Sequence, residues 1–155
     1  MIRFPLSAIA VAALTACAVA QSAKPDITII PLPAKAERRE GVFTLTEKSA
    51  VTAPESAAAV AELCASQLRP ATGFTVPVKS GGDIIMELDP ALLNLAAEGY
   101  TLDVSPGKVT IRAATVKGLY YGFQSFRQLL PPEIFASQAK PATAWTAPAA
   151  AIEDK

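Results

Sequence analysis

The chain contains no histidine. This absence excludes Ser-His-Asp and Cys-His catalysis, and it removes the ligand that most zinc sites use. Cysteine is scarce as well, because Cys17 falls in the N-terminal leader and leaves Cys64 alone in the rest of the chain. We expect Cys64 to be a buried apolar residue on a helix, since a reactive thiol needs a base nearby. These residues therefore offer no histidine-dependent catalytic site and no zinc site, and we expect no cofactor.

An excess of charge of either sign is also missing. The chain has 14 basic and 14 acidic side chains, so its formal net charge is zero. This balance gives no electrostatic reason to expect a nucleic acid or an anionic membrane surface as a partner. No segment resembles a basic stripe, and we expect no nucleic acid partner.

The N-terminal apolar run is too short to span a membrane. Arg3 precedes the apolar residues Leu6–Leu14, whereas a membrane-spanning helix needs about 20 such residues. Residues 1–20 therefore read as a signal peptide, which predicts an exported protein that is periplasmic or anchored to the outer membrane. Two processing sites remain open. Leu14–Cys17 resembles a lipobox that would place a lipid on Cys17, and Ala18–Ala20 resembles an ordinary A-x-A cleavage site.

The segment between positions 98 and 131 has the clearest pattern. Tyr100–Val104 and Val109–Ile111 alternate apolar and polar residues, and Pro106-Gly107 between them predicts a tight turn. Thr115 is a suitable N-cap for a helix that follows. The apolar residues on one side of that helix are Val116, Leu119, Tyr120, Phe123 and Leu130. The pattern predicts a helix that covers one face of an antiparallel sheet.

Gly118 and Gly122 lie four residues apart within this predicted helix. Each glycine costs about 1 kcal/mol relative to alanine in a helix interior, so the pair needs a structural reason. Two glycines at this spacing leave one side of the helix without side chains and allow another backbone to approach closely. We predict that they pack against the sheet or against the first helix. Gln124 and Arg127 interrupt the apolar run and disfavour a membrane-type helix dimer.

The rest of the chain predicts a second helix and several short strands. Thr52 and Glu55 form a capping box for a helix that extends to about Leu68, and Pro70 and Gly73 end it. Strands are expected at 27–30, 41–45, 50–52, 74–78 and 83–88, and the charged residues 37–40 are expected to form a solvated turn. The fold class is α+β, a small antiparallel or mixed sheet with two helices on one face. Residues 132–155, rich in alanine and interrupted by prolines, predict a linker.

Several segments resemble the N-terminal domain of bacterial family 20 glycoside hydrolases, the β-N-acetylhexosaminidases. The residues that carry the resemblance are Ile30–Pro33, Gly41–Leu45, Glu98–Leu102, Gly118–Gln124 and Gln128–Pro131. The resemblance covers about residues 27–154, and it implies that residues 27–131 are a non-catalytic accessory domain. It also implies that the linker leads to a catalytic (β/α)₈ barrel and that Trp145 anchors the boundary between the two domains. Without the barrel, Trp145 is expected to be exposed.

The implied catalytic domain is too large for this chain. A (β/α)₈ barrel typically needs about 250 residues, and the chain has 155. The resemblance therefore implies a leader, an accessory domain and a linker that ends before the barrel. Glu153-Asp154 is the reverse of the family's Asp-Glu catalytic pair and lies in the predicted linker, so no catalytic residue is carried over.

The resemblance implies a scaffold for an enzyme that removes terminal N-acetylhexosamine from glycans, with the barrel making the sugar contacts. One alternative is a stand-alone envelope lipoprotein, tethered by Cys17, that binds carbohydrate or another partner. Tyr121 is then the best candidate for an exposed aromatic contact. Another alternative is the accessory domain of a different glycosidase family, because similar domains precede the barrels of α-glucuronidases.

Overall fold

The computed structural model describes residues 27–155. The predicted signal peptide at 1–20, both processing sites and Cys17 lie outside the described residues. Within 27–155 the strands are β1 Lys35–Thr44, β2 Val51–Thr52, β3 Ile84–Leu88, β4 Tyr100–Ser105, β5 Lys108–Ala113 and β6 Thr146–Asp154. The α-helices are α1 Ala58–Ser66, α2 Arg69–Thr72 and α3 Val116–Leu129, and short 3₁₀ turns occupy Glu55–Ala57, Pro90–Leu95 and Pro132–Phe135.

The six strands found in residues 27–155 form one mixed sheet in the order β1-β6-β4-β5-β3-β2. The β2–β3 and β3–β5 pairs are parallel, and the other pairs are antiparallel. Helix α3 packs on β4 and β5, and α1 lies beside α3. The predicted α+β fold class is confirmed. No helix between positions 27 and 155 is both long enough and apolar enough to cross a bilayer.

The β4–β5 hairpin and helix α3 form as the local pattern predicts. Tyr100, Leu102 and Val104 are buried, whereas the intervening residues of β4 are only partly buried. Gly107 takes the positive φ of 90° that the turn requires. The Thr115 hydroxyl accepts a hydrogen bond of 3.2 Å from the Gly118 N–H, so the predicted N-cap is confirmed.

The core is built from aromatic and aliphatic side chains between the sheet and the helices. Phe43 from β1 meets Phe126 from α3 edge to face, with ring centroids 5.8 Å apart. Phe123 meets Phe126 in the same manner at 6.0 Å. All three rings are fully buried, and burial of each contributes about 1.5–3 kcal/mol. Helix α3 is thus attached to both the centre and the β1 edge of the sheet.

The C-terminal segment is part of the domain, which corrects the interpretation of residues 132–155 as a linker. Strand β6 lies between β1 and β4 and pairs with both. Its alanines fit this position because Ala147, Ala149 and Ala150 are buried in the sheet. Pro148 is tolerated because it lies opposite Val42, just beyond the register shift in the pairing with β1.

Trp145 is only 3% exposed, so the expectation of an exposed tryptophan is wrong. The indole joins the main apolar core, and the Leu45 N–H donates a hydrogen bond of 2.9 Å to the Trp145 carbonyl. The domain itself covers this side chain. A role for Trp145 at a boundary with another domain stays a prediction.

The charged residues 37–40 do not form the expected turn, because they lie within β1. Glu37 and Arg38 pair with Ala151 and Ala150 of β6, and the register then shifts before Val42. This irregularity contains Gly41, whose φ is 98°. The charges are accommodated because β1 is an edge strand whose side chains are mostly exposed.

The first helix begins and ends differently from the prediction. The Thr52 hydroxyl donates to the Lys79 carbonyl and accepts from the Gly82 N–H, so it does not cap a helix. The helical segment instead begins with the 3₁₀ turn after Pro54. Pro70 does not stop the helix, because it occupies the first turn of α2, where its missing N–H has no helical partner.

Downstream of α2 the pattern is confirmed in part. Gly73 ends the helix with a left-handed φ of 72°. The strand expected at 74–78 is reduced to a single bridge between Val78 and Val51, and the positive φ of Val76 interrupts an extended backbone. The strand expected at 83–88 is confirmed as β3.

Candidate functional site: the outer surface of the helices

The face of the sheet opposite the helices is polar and satisfies its own charges. A row of facing residues crosses the strands in the order Glu87, Arg112, Thr101, Glu153, Lys35. Arg112 pairs with Glu87 at 2.7 Å, and Lys35 pairs with Glu153 at 2.6 Å. These exposed pairs contribute little to stability, and they border a hollow of about 520 Å³ on this face that is lined by both charged and apolar residues. The helices carry the exposed apolar side chains Leu63, Val116 and Tyr121.

The outward side of the helices carries exposed apolar side chains around two adjacent hollows. We use the name helix-layer surface for the residues Ile30, Val60, Leu63, Val116, Tyr120, Tyr121 and Gln124. Leu63 is 50% exposed, and Val116 and Tyr121 are each 42% exposed. Isolated exposed apolar residues are ordinary, but a continuous group of them indicates a contact site.

The hollows lie on either side of Tyr120 and Tyr121, whose rings meet edge to face at 5.8 Å. One hollow of about 480 Å³ lies between α3, the segment Ile29–Pro31 and the end of β6. The other, of about 360 Å³, lies between α1 and α3 and is mostly apolar. Glu98 borders both hollows. The surface is therefore continuous from α1 to the N-terminal segment.

The N-terminal segment is held against α3 by Gln128. The Ile30 N–H donates to Gln128 Oε1 at 2.9 Å, and Gln128 Nε2 donates to the Ile30 carbonyl at 3.1 Å. Ile30 itself is 78% exposed, so its side chain adds to the apolar part of the surface. The amide of Gln128 thus positions an apolar side chain for contact.

A polar cluster joins the ends of α1 and α3. Gln67 Oε1 accepts hydrogen bonds of 2.9 Å from both Gln124 Nε2 and Arg127 Nη1. Arg127 Nη1 also donates to Gln124 Oε1 at 3.0 Å. The guanidinium lies 4.6 Å from the ring centroid of Phe135, which is 57% exposed. Burial lowers the pKa of Arg127 from its ordinary value.

The glycines singled out in the sequence bring α3 onto the sheet. A methyl group at Gly122 would lie 2.6 Å from Ile111 Cγ2 and 3.0 Å from Tyr100 Cδ2. A methyl group at Gly118 would meet the Gly99 carbonyl oxygen and Ala113 Cβ. These contacts are closer than real side chains allow. The two positions therefore need glycine for the observed packing.

The other residues that the sequence singled out are Tyr100, Tyr120, Phe123 and Trp145. Their positions differ in burial and in distance from the hollows. Phe123 is fully buried, and Tyr100 is buried beneath α3. The hydroxyls of Tyr100 and Ser125 share a hydrogen bond of 2.6 Å. Burial raises the pKa of Tyr100, although the bond to Ser125 opposes this. Tyr120 is partly buried and borders both hollows, whereas Trp145 lies in the core and is not among the residues that line either hollow.

The side chains that could resemble catalytic groups are Cys64, Glu153 and Asp154, and each of them has a structural role. Cys64 is fully buried as predicted, and burial raises the pKa of its thiol to about 12, far from that of a reactive thiolate. Glu153 pairs with Lys35, while Asp154 Oδ1 accepts the Ala34 N–H at 3.0 Å. In residues 27–155 no three His, Cys, Asp or Glu side chains group as metal ligands do.

Sequence reasoning missed the cluster formed by Gln67, Gln124 and Arg127. Gln124 and Arg127 were visible as polar interruptions of the apolar helix side, and their i, i+3 spacing places them together on α3. The contact with Gln67 depends on how α1 lies beside α3, which no local pattern specifies. The arrangement suits binding of a partner surface, since it combines apolar hollows with fixed amide and guanidinium donors.

The fold is a small α+β domain with exposed apolar side chains on its helices. A model of the family described as glycosyl hydrolase family 20, domain 2, matches residues 26–155. The chain therefore belongs to glycosyl hydrolase family 20, in which it corresponds to domain 2. The resemblance found in the sequence is confirmed.

Relatives of known name agree with this assignment. The Beta-hexosaminidase of Porphyromonas gingivalis is 32% identical over 117 residues, which is 72% of this chain and 15% of that protein. The N-acetyl-beta-hexosaminidase of Streptomyces plicatus is 35% identical with a TM-score of 0.75, over 81% of this chain and 26% of that one. The GH20 beta-N-acetylhexosaminidase of Streptomyces coelicolor A3(2) is 34% identical with a TM-score of 0.75, over 82% and 26%. This chain thus spans about a quarter or less of these relatives' length.

Proposed function

We propose that this chain is the accessory domain of an exported β-N-acetylhexosaminidase and acts as a non-catalytic scaffold. In the whole protein, a catalytic (β/α)₈ barrel removes terminal N-acetylhexosamine residues from glycans. Membership of family 20 carries this proposal, supported by relatives that are named hexosaminidases and are about four or more times longer than the matched part. The domain's own acidic pair, Glu153-Asp154, is engaged in structural contacts.

The helix-layer surface is the face that receives the barrel in this proposal. It groups exposed apolar side chains, whereas the opposite face of the sheet is covered by paired charges. Asp154 and Lys155 at the end of β6 border the hollow next to Tyr121. Since the family resemblance implies that the barrel follows this domain, the polypeptide enters the barrel beside the surface that the barrel covers.

The test compares the chain with the longer protein. A longer protein that contains this chain and a family 20 barrel is expected to hydrolyse a chromogenic N-acetylglucosaminide. The purified 155-residue chain is expected to show no turnover. Hydrolysis by the purified chain, with no contaminant that contains a barrel, would contradict a scaffold role. A reading frame that encodes no barrel would contradict the accessory role.

Export and anchoring form a further part of the proposal. The leader at 1–20 directs secretion, and Cys17 carries a lipid if the site at Leu14–Cys17 is used. Globomycin, which blocks lipoprotein processing, distinguishes the two sites. Accumulation of the unprocessed precursor under the drug supports the lipid on Cys17, and normal processing supports cleavage after Ala20.

A carbohydrate-binding module is the second candidate, since Tyr121 is 42% exposed beside a hollow lined by Gln124 and Gln128. An exposed aromatic ring beside amide groups is typical of sugar contacts. Calorimetry of the 155-residue chain with chito-oligosaccharides at millimolar concentration tests this function. Heat that saturates and is abolished by Tyr121→Ala would favour the binding module over the scaffold.

A further inference from the structure

Arg127 bonds to neutral amides, whereas three other arginines of the domain form ion pairs with carboxylates. Within residues 27–155, the ion pairs of these three are Arg39 with Asp103, Arg69 with Glu62, and Arg112 with Glu87. The hydrogen bonds of Arg127 go instead to the neutral amide oxygens of Gln67 and Gln124. Its positive charge is therefore held in a defined place without a carboxylate from the described part of the chain.

The surroundings of Arg127 fix the guanidinium beside the ends of α1 and α3, next to Gln124 of the helix-layer surface. Its hydrogen bonds to Gln67 and Gln124 both use Nη1, and Arg127 Cζ lies over the ring of Phe135 at 4.6 Å from the ring centroid. Nε is buried and has no hydrogen-bond partner among residues 27–155. The group has five N–H donors, so most of its capacity is unused. Gln124, which holds it, lines the hollow next to Tyr121.

Covering such a group with an apolar surface is unfavourable. A guanidinium that loses its remaining water without gaining an opposite charge destabilises the complex strongly. A carboxylate compensates best, since its two oxygens match the planar fork of arginine in a bidentate contact. A partner that buries the helix-layer surface therefore has to bring an acceptor to Arg127.

We propose that Arg127 is the charged anchor of the helix-layer surface and binds a carboxylate of the catalytic barrel domain. This inference rests on the proposed function, because the barrel is the partner that it assigns. Gln67, Gln124 and Phe135 act as positioning residues that hold the guanidinium ready for the carboxylate. The apolar hollows supply contact area, and Arg127 supplies the specificity for an acidic side chain.

The experiment uses the full-length protein with its barrel. Arg127→Met keeps the length and the contact with Phe135 but removes the charge. We expect it to increase the rate of thermolysin cleavage between the two domains at pH 7 at least about 30-fold, because breaking one side of a buried charge pair is costly. Arg127→Lys keeps the charge without the fork and is expected to give a smaller increase. Lys108→Met, on the opposite face of the sheet, is the matched control and should leave the rate unchanged.

Acid provides a second readout that a merely structural role would not give. The partner carboxylate loses its charge as the pH falls below about 4, so the rate of pepsin cleavage between the domains should rise there in the wild-type protein, while Arg127→Met shows no comparable rise. Equal cleavage rates for Arg127→Met and Lys108→Met in a protein that hydrolyses the chromogenic substrate would overturn this inference and leave the proposed function standing. Dimerisation of the 155-residue chain that depends on Arg127 would assign the surface to a second copy and overturn it as well.

Discussion

Replacing Trp145 by alanine tests whether the C-terminal segment belongs to the domain. Trp145 is 3% exposed and packs into the main apolar core directly before β6. Loss of a buried tryptophan side chain typically costs 3–5 kcal/mol, because the lost transfer free energy is joined by that of the cavity. We therefore expect Trp145→Ala to reduce the free energy of unfolding of the purified chain by about 4 kcal/mol.

The corresponding change in melting temperature is large. For a domain of this size, 1 kcal/mol shifts the melting temperature by about 4 °C, so the expected decrease is about 16 °C. Far-ultraviolet circular dichroism during thermal or urea unfolding is the suitable measurement, because the substitution removes the only tryptophan. Phe135→Ala is the control, since its ring is 57% exposed and should contribute less than about 1 kcal/mol.

A decrease below about 1 kcal/mol for Trp145→Ala would refute the reasoning. It would mean that the indole is solvated in the isolated chain and that residues 132–155 behave as a linker. The wild-type protein gives an independent check through fluorescence. A buried Trp145 should be protected from acrylamide quenching until the sheet unfolds.

Three further predictions concern the contact between α3 and the sheet and the core beneath α1. Gly118→Ala should lower the free energy of unfolding by about 2 kcal/mol in urea titrations. The steric overlap of the added methyl group with Ala113 outweighs the gain of about 1 kcal/mol in helix propensity. Unchanged or increased stability would contradict the packing of α3 on the sheet. Tyr100→Phe should cost about 1 kcal/mol in the same titration, because it removes the buried bond to Ser125, and a neutral result would mean that this bond contributes nothing. Burial raises the pKa of Cys64 to about 12, so its neutral thiol stabilises the folded state below the unfolded pKa of about 9, and this stabilisation is lost as the pH rises towards 12. Cys64→Ala should lack this loss of stability. An identical dependence of stability on pH in the variant would exclude Cys64 as the source.

Local sequence patterns were sufficient to predict the β4–β5 hairpin and the start of α3, where contacting residues are close together in the sequence. The alternation from Tyr100 to Ile111, the turn at Gly107 and the cap at Thr115 each depend on neighbours in the sequence. The glycine spacing in α3 also indicated a close approach before the partner was known. These elements carry most of the family resemblance as well.

Strand β6 and the first half of β1 could not be predicted, because the residues that stabilise them are distant in sequence. Lys35 faces Glu153 across the β1–β6 pair, and neither segment has a strong strand pattern of its own. An alanine-rich strand between two others is stabilised by its neighbours and not by its propensity. The contact between Gln67 and Arg127 could not be predicted for the same reason, since the two residues meet only when α1 lies beside α3.

The position of β6 inside the sheet sets the order in which the molecule is completed. Because the last strand to be synthesised separates β1 from β4, the first strand has no place to attach until nearly all of the described chain has left the ribosome. A nascent chain released after Lys140 would hold β4, β5, β3 and β2 together at most, with β1 unattached. Pairing of β1 with the rest of the sheet therefore waits for residues 146–154.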